Sequence, residues 1–509
     1  MAIACVKTRA NKGVDAPSVT VEVHLSNGLP AFNLVGLPET SVKEAKERVR
    51  SAIINTGLEF PVRRITVNLA PADLPKQGGR YDLPIAIGIL AASGQIPPQA
   101  IIPLEFVGEL ALSGYIRPCQ GLIPVITAAQ RQQIGLVLPI DNQKEAELVG
   151  YQNVHFTNTL QSLCSFLHGQ TSLPSLDNNI QWQSSPTEHS HNPLGCLSDI
   201  IGQQQAKLGL EIAAAGNHNL LMMGPPGTGK TMLASRILSI LPDLTYEEAL
   251  EVATLYSVAG QSINQNAFFL RKFRNPHHTS SAISLIGGGS IPQPGEISLA
   301  HKGVLFLDEL AEFPRKVLDC LREPMETGEV VISRAAAKLT FASQFQLIAA
   351  MNPSPCGDIN NPRANPDQIL RYLSKLSGPF LDRFDLTLDV PKLPVGTLNN
   401  HHSQQETSQI VAKRVKQARE IQLERSGILN NQLTGTQLKK TNWFHPSDLH
   451  YLEDTLNKLG LSVRSYHKIQ RVARTIADLK SEKNIDRSHI AQALSYRAMD
   501  KLLNNLKAY

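Results

Sequence analysis

At 509 residues, 42% of them apolar and 18% charged, the chain outgrows a single hydrophobic core and has the make-up of a globular protein of several domains. It contains no apolar run of about 18 residues to cross a bilayer, and Met1-Ala2-Ile3-Ala4-Cys5-Val6-Lys7 lacks the basic region, apolar stretch and cleavage site of a secretion signal, so a cytoplasmic, membrane-free protein is expected. A net charge of +5 permits nucleic-acid binding without arguing for it, and six scattered cysteines (Cys5, Cys119, Cys164, Cys196, Cys320, Cys356) argue against a disulfide framework or a complete zinc site.

Residues 1–168 mix period-two strands, as at Ser18 to Leu25 and Arg64 to Leu69, with helical spacing at Val42 to Ile54 and Ile85 to Ala92, which makes an α/β domain. Residues 169–195 are rich in Ser, Asn and Pro and read as a linker; its His189 and His191 have no further ligands nearby and read as solvated. Residues 196–394 alternate helical patterns with short apolar strands, the pattern of a parallel sheet covered by helices. Residues 395–509 are almost wholly helical and form a lid.

Within the third segment, Leu220-Leu221-Met222-Met223 reads as a buried strand and Met232 to Leu241 as a helix. Between them stands Gly224-Pro225-Pro226-Gly227-Thr228-Gly229-Lys230-Thr231, a phosphate-binding loop in its strand-loop-helix context. Its backbone N–H groups and the helix start cradle phosphate, Lys230 reaches the β/γ oxygens, and Thr231 can ligate Mg²⁺. The apolar run Val304-Leu305-Phe306-Leu307 delivers Asp308 and Glu309 to a strand end, where Asp308 suits Mg²⁺ and Glu309 can orient or deprotonate an attacking water. A further run, Leu347 to Met351, ends in Asn352, able to hydrogen-bond the γ-phosphate and the water; a turn-forming asparagine is the plain reading.

The order of these elements resembles an AAA+ ATPase. The resemblance implies that Asn352 acts as sensor 1, that Arg383 in Asp382-Arg383-Phe384-Asp385 reaches into a neighbouring subunit's ATP, and that Arg464 of the lid acts as sensor 2. A structural arginine paired with Asp382 or Asp385 competes for Arg383. Arg464 opens the helix Ser462 to Leu479, whose other cations, Lys468, Arg471 and Arg474, read as a solvated basic face. Ile200-Ile201-Gly202-Gln203 is similar to the segment that packs on adenine in that superfamily, which puts Ile201 and Gly202 at the base; a core contact is the competing reading.

Phe273 to Ser280, Gly287-Gly288-Gly289-Ser290, Gln293 to His301 and Leu321 to Val330 further resemble the magnesium-chelatase-like branch of AAA+ proteins. That resemblance implies two elements facing a ring's central pore: a loop centred on Gly288 and a hairpin from Val330 to Phe341 with Arg334 and Lys338 near its tip, suited to a sequence-independent grip on phosphates. An ordinary exposed hairpin competes. In the first domain, Pro75 to Pro84 and Gly108 to Gly114 are similar to the Lon-protease fold. The serine position of that fold would fall between Arg80 and Asp82 and the lysine at about Ile123, where no residue can form a Ser-Lys dyad; Lys76, Lys43 and Ser93 are the possible substitutes.

Together with Phe32 to Pro38 and Ile65 to Pro75, these features resemble the ComM/YifB family of bacterial competence proteins over nearly the whole chain. The resemblance implies an ATP- and Mg²⁺-dependent hexameric helicase that binds single-stranded or branched DNA and drives branch migration while transforming DNA is integrated, alongside recombination proteins. Cys356 alone remains where many relatives carry paired cysteines, which puts zinc there in doubt. A chelatase-like chaperone for metal insertion or protein remodelling, or a Lon-like protease, are the rival readings.

Overall fold

A computed structural model of the chain describes residues 2–36, 39–176, 195–289, 292–334, 337–358, 365–394, 405–440 and 443–507. His189 and His191 lie outside these residues.

The first domain is built on a seven-stranded mixed sheet in the order Ala31–Val35, Arg64–Ala70, Ser18–Ser26, Ala2–Arg9, Leu104–Phe106, Gly135–Pro139, Val154–Thr157. Ser18–Ser26 pairs antiparallel with both of its neighbours, and every other pair in the sheet is parallel. Ser18–Ser26 alternates buried and more exposed positions, as a strand with one covered face should. The helix Asp82–Ala92 is buried on every side, which explains why its apolar residues run without a break. The expected linker begins as part of this domain: Phe156 donates to the Pro174 carbonyl and Leu176 is buried.

The second domain has five parallel strands in the order Phe273–Arg274, Val304–Leu307, Gln346–Met351, Leu220–Met223, Leu386–Asp389. The three central strands are wholly buried, because helices cover both faces. After the phosphate loop, the expected helix to Leu241 is α-helical only over Lys230–Ser235. It tightens to a 3₁₀ turn over Arg236–Ser239 before Pro242, which disfavours helical backbone in the residue ahead of it.

The helical region is less separate than its pattern suggests. Ser408–Ser426 and Val463–Leu479 pack on Gln204–Gly216 and share one apolar cluster with the central sheet. The last helix, Ala498–Lys507, returns to the edge strand Leu386–Asp389. The expected solvated face on Val463–Leu479 is a misreading. Lys468 donates to the carbonyls of Asp382 and Phe384, Arg471 to that of Leu433, and Arg474 is buried against Asp478 and over the ring of Trp443. These cations sit inside because backbone carbonyls, a carboxylate and an indole satisfy them there.

The two domains meet at the helix Tyr246–Val258, which shares an apolar cluster with Leu122–Gln132 of the first domain. Ser257 Oγ donates to Glu145 at 3.0 Å, and the Tyr246 hydroxyl donates to the Val149 carbonyl at 2.8 Å.

Candidate nucleotide site and polar clefts

The phosphate loop leaves the C-terminal end of the central strand Leu220–Met223, where open parallel sheets place their sites. Gly224 is required by close approach: a Cβ there would lie 2.2 Å from the Val390 carbonyl oxygen. Gly227 and Gly229 have φ of 77° and 85°, left-handed backbone that glycine adopts without strain. The loop thereby wraps back on the helix start at Lys230. Lys230 is buried, and its Nζ donates to the carbonyls of Gly224 at 2.7 Å and Pro225 at 2.9 Å and to Asn352 Oδ1 at 3.3 Å. Desolvation lowers its pKa, while the charge of Asp308 opposes the shift. Thr228 Oγ1 donates to the Pro225 carbonyl and ties the loop from inside.

Asp308 and Glu309 follow the neighbouring buried strand. Thr231 Oγ1 donates to Asp308 Oδ2 at 2.7 Å, so the two oxygens expected to attend Mg²⁺ already lie side by side. Glu309 has a left-handed φ of 51° that turns its side chain away from the strand line, and its carboxylate lies 3.2 Å from His278 Nδ1. His278 belongs to a segment that the sequence singled out without a role for it; no spacing rule ties it to Glu309, and only the adjacency of Phe273–Arg274 and Val304–Leu307 brings the pair together. Asn352 ends the strand Gln346–Met351 and touches Lys230, so the structure joins Lys230, Thr231, Asp308 and Asn352 in one site.

Ile201 and Gly202 are half-buried. Gln203 beside them donates to the Pro391 carbonyl at 2.7 Å, next to the Val390 carbonyl that abuts Gly224, so this segment and the phosphate loop flank the same strand end.

Arg383 and Arg464 lie elsewhere. Arg383 follows the short helix Gly378–Leu381 and pairs with Glu326, not with Asp382 or Asp385. Arg464, exposed, lies 3.4 Å from Asp382. Both line a cavity of about 450 Å³ with Arg322, and neither is in contact with the phosphate loop of its own chain among the described residues. The expected sensor 2 thus sits with the expected finger.

The glycine loop forms the small hairpin Gly287–Gly288 with Gln293–Pro294. Glu329–Arg334 and Ala337–Ala342 form the second hairpin, in which Ser333 faces Lys338 and Arg334 faces Ala337 across the ladder. The side chain of Arg334 lies outside the described residues. A Cβ on Gly287 would stand 3.0 Å from Ile332 Cδ1, so the two hairpins touch. Lys338 is exposed and lines a cavity of about 1150 Å³ between the domains, which also receives Lys12, Arg80, Arg131 and Gln293.

In the first domain, Arg80 and Tyr81 are buried, and the Arg80 guanidinium donates to the Gln120 carbonyl. Ile123 is buried in the apolar cluster. Lys76 Nζ donates to the Pro71 carbonyl, Ser93 Oγ to the Leu90 carbonyl, and Lys43 is exposed. No Ser-Lys dyad forms among them. All six cysteines are free, Cys356 exposed among them. No helix among the described residues is long and apolar enough to cross a membrane.

Three family matches fall along the chain. Residues 196–398 match the family described as magnesium chelatase, subunit ChlI; residues 21–142 match subunit ChlI of Mg-chelatase; residues 405–497 match the magnesium chelatase subunit ChlI C-terminal family. The chain is 55% identical to competence protein ComM of Haemophilus influenzae, over 99% of both chains. It is 52% identical to the protein YifB of Salmonella typhimurium over 100% of this chain and 99% of the relative. Identity to YifB of Escherichia coli is 51%, with the same coverage.

Proposed function

Because this chain belongs to the ComM/YifB family of magnesium-chelatase-like AAA+ proteins, we propose that it is an ATP-driven ring motor that moves branched DNA during integration of transforming DNA by recombination. The observation that carries the ATPase part is the joining of Lys230, Thr231, Asp308 and Asn352 at adjacent parallel strand ends. The Gly224 and Pro225 carbonyls now occupy the Lys230 ammonium, and phosphate oxygens are stronger acceptors for it. Thr231 and Asp308 fit Mg²⁺ because a hydroxyl and a carboxylate oxygen converge within 2.7 Å; the ion supplies charge neutralisation on the β/γ-phosphates. Ile201 and Gly202 border the base, and Glu309 orients the attacking water once His278 releases it. Arg383 and Arg464 serve a neighbour's nucleotide, which requires a homo-oligomer, in our reading a hexameric ring.

The DNA part rests on the contact between the two hairpins and on the exposed cations around the cleft they border, Lys338 with Lys12 and Arg131. The hairpin containing Arg334 and the loop at Gly288 grip the phosphate backbone by charge, without base readout. The deciding experiment measures hydrolysis with and without forked and four-way DNA, together with strand migration, using Glu309→Gln as control. DNA-stimulated hydrolysis and ATP-dependent migration in the native chain but not in Glu309→Gln are expected. Hydrolysis indifferent to DNA, with no strand movement, sinks the motor reading and leaves the chelatase-like chaperone.

A further inference from the structure

We propose that Arg322 is the third arm of an anion receptor that this chain presents to the terminal phosphate of a nucleotide held by a second copy of the chain. The inference rests on the shared-site reading of Arg383 and adds a residue to it.

Three separate segments deliver guanidinium groups to one cavity of about 450 Å³. Arg322 opens the helix Arg322–Thr327, Arg383 follows Gly378–Leu381, and Arg464 lies in the first turn of Val463–Leu479. Like charges brought together repel, and such a cluster persists where negative charge balances it. Asp319, Glu323 and Glu326 line the same cavity, and the balance they supply is piecemeal. Arg383 pairs with Glu326, Arg464 stands 3.4 Å from Asp382, and Arg322 has the longest of the three contacts, 3.8 Å to Asp319. Asp319 also accepts from Ser377 Oγ at 2.8 Å, so its charge is shared. The Nε atoms of Arg322 and Arg383 are buried without a hydrogen-bond partner. Burial first, then the charges of Arg322 and Arg464, pull the pKa of Arg383 below that of an ordinary arginine, so the three guanidinium groups act on one another.

A phosphoryl terminus answers each of these deficits. It carries several oxygens on one small centre, and a guanidinium meets two of them at once with parallel hydrogen bonds. The chain's own phosphate loop does not supply that anion: among the described residues, the side chains hydrogen-bonded to Lys230 and Thr231 are Asn352 and Asp308, and no arginine of the cluster is one of them. The anion therefore comes from another molecule. A second copy presenting its nucleotide fits the shared-site reading, and Lys468 of the helix Val463–Leu479 holds the Arg383 segment in place for it by binding the carbonyls on either side of Arg383. Arg322 then works as Arg383 does, stabilising charge on the γ-phosphate across the interface.

The test uses the full-length protein at concentrations where rings form. Steady-state hydrolysis, binding of a fluorescent ATP analogue and ATP-dependent assembly are measured for Arg322→Ala, Arg322→Lys and Arg383→Ala, with unfolding midpoints alongside. Arg322→Ala is expected to lower kcat about 10- to 100-fold, to weaken ATP-dependent assembly, and to leave analogue binding and the unfolding midpoint unchanged. Arg322→Lys is expected to recover only part of the rate, since an ammonium keeps the charge and loses the fork. If Arg383→Ala abolishes hydrolysis while Arg322→Ala keeps native kcat and assembly, Arg322 is removed from the receptor and the shared site stands. Should Arg383→Ala hydrolyse normally too, the shared-site reading falls and the inference with it. Where Arg322→Ala does not fold, Arg322→Lys decides: native kcat and assembly overturn the inference, and a loss of about 10-fold or more upholds it.

Discussion

The phosphate-loop half and the arginine half of the proposed site are built in opposite ways. Lys230 is buried, hydrogen-bonded three times and held by a loop whose glycines leave the backbone little alternative. Arg322, Arg383 and Arg464 line an open cavity, each at the end or start of a helix, each against a carboxylate that a phosphate could displace. The difference fits what the proposed function asks of each half. A group that binds its own nucleotide gains from being set in place before the ligand arrives, because ordering it later costs affinity. One that serves a neighbour must remain reachable until two subunits close.

Mutations sharpen this contrast, and the largest effect belongs to the arginine half. Arg383→Ala should lower hydrolysis about 10³-fold or more in assembled rings while analogue binding to each subunit persists, as stopped-flow binding beside steady-state turnover will show. Lys230→Ala should lose about 10²- to 10³-fold in hydrolysis and should also lose analogue affinity, which separates the two halves. Mixed rings of Arg383→Ala and Lys230→Ala subunits should recover part of the activity. No recovery at any ratio breaks the comparison.

Gly224→Ala places a methyl against the Val390 carbonyl oxygen, a contact of 2.2 Å that forces the loop off the strand end. Weaker nucleotide binding is expected, seen as a KM raised about 10-fold with a smaller change in kcat. The gentlest test concerns Lys468, whose burial brings its pKa down to about 8 from 10.5. In this case the unfolded chain holds the proton more tightly, so the cost of burying the charge is fully present below pH 8 and is relieved as pH rises toward 10.5. Lys468→Met should remove that dependence. The unfolding midpoint of the native chain should therefore climb relative to the variant between pH 8 and pH 10, by a few degrees at most. A constant difference would show that Lys468 does not titrate as buried.

Much of this molecule can be read along the chain because the responsible forces are local. Leu220–Met223 and Val304–Leu307 are strands over the residues their apolar runs mark, and Ser462 caps the helix that begins at Val463. The phosphate loop, Asp308 and Asn352 follow directly from such elements. The reading of Lys468, Arg471 and Arg474 failed for the opposite reason. Helical spacing tells which residues share a face but not what covers that face, and here the Arg383 segment and Leu433 cover it. His278 was equally hidden, since its partner Glu309 belongs to a different strand.

By itself, then, the amino-acid sequence determined the α/β classes, the phosphate loop and the family, all of which depend on neighbours in the chain or on residue identities in fixed order. The tertiary structure alone decided that Arg464 stands with Arg383 and Arg322 away from Lys230, that the two hairpins touch, and that Tyr246–Val258 joins the domains. Those are contacts between distant segments. They are selected by burial and charge pairing in three dimensions, for which spacing along one chain carries no signal.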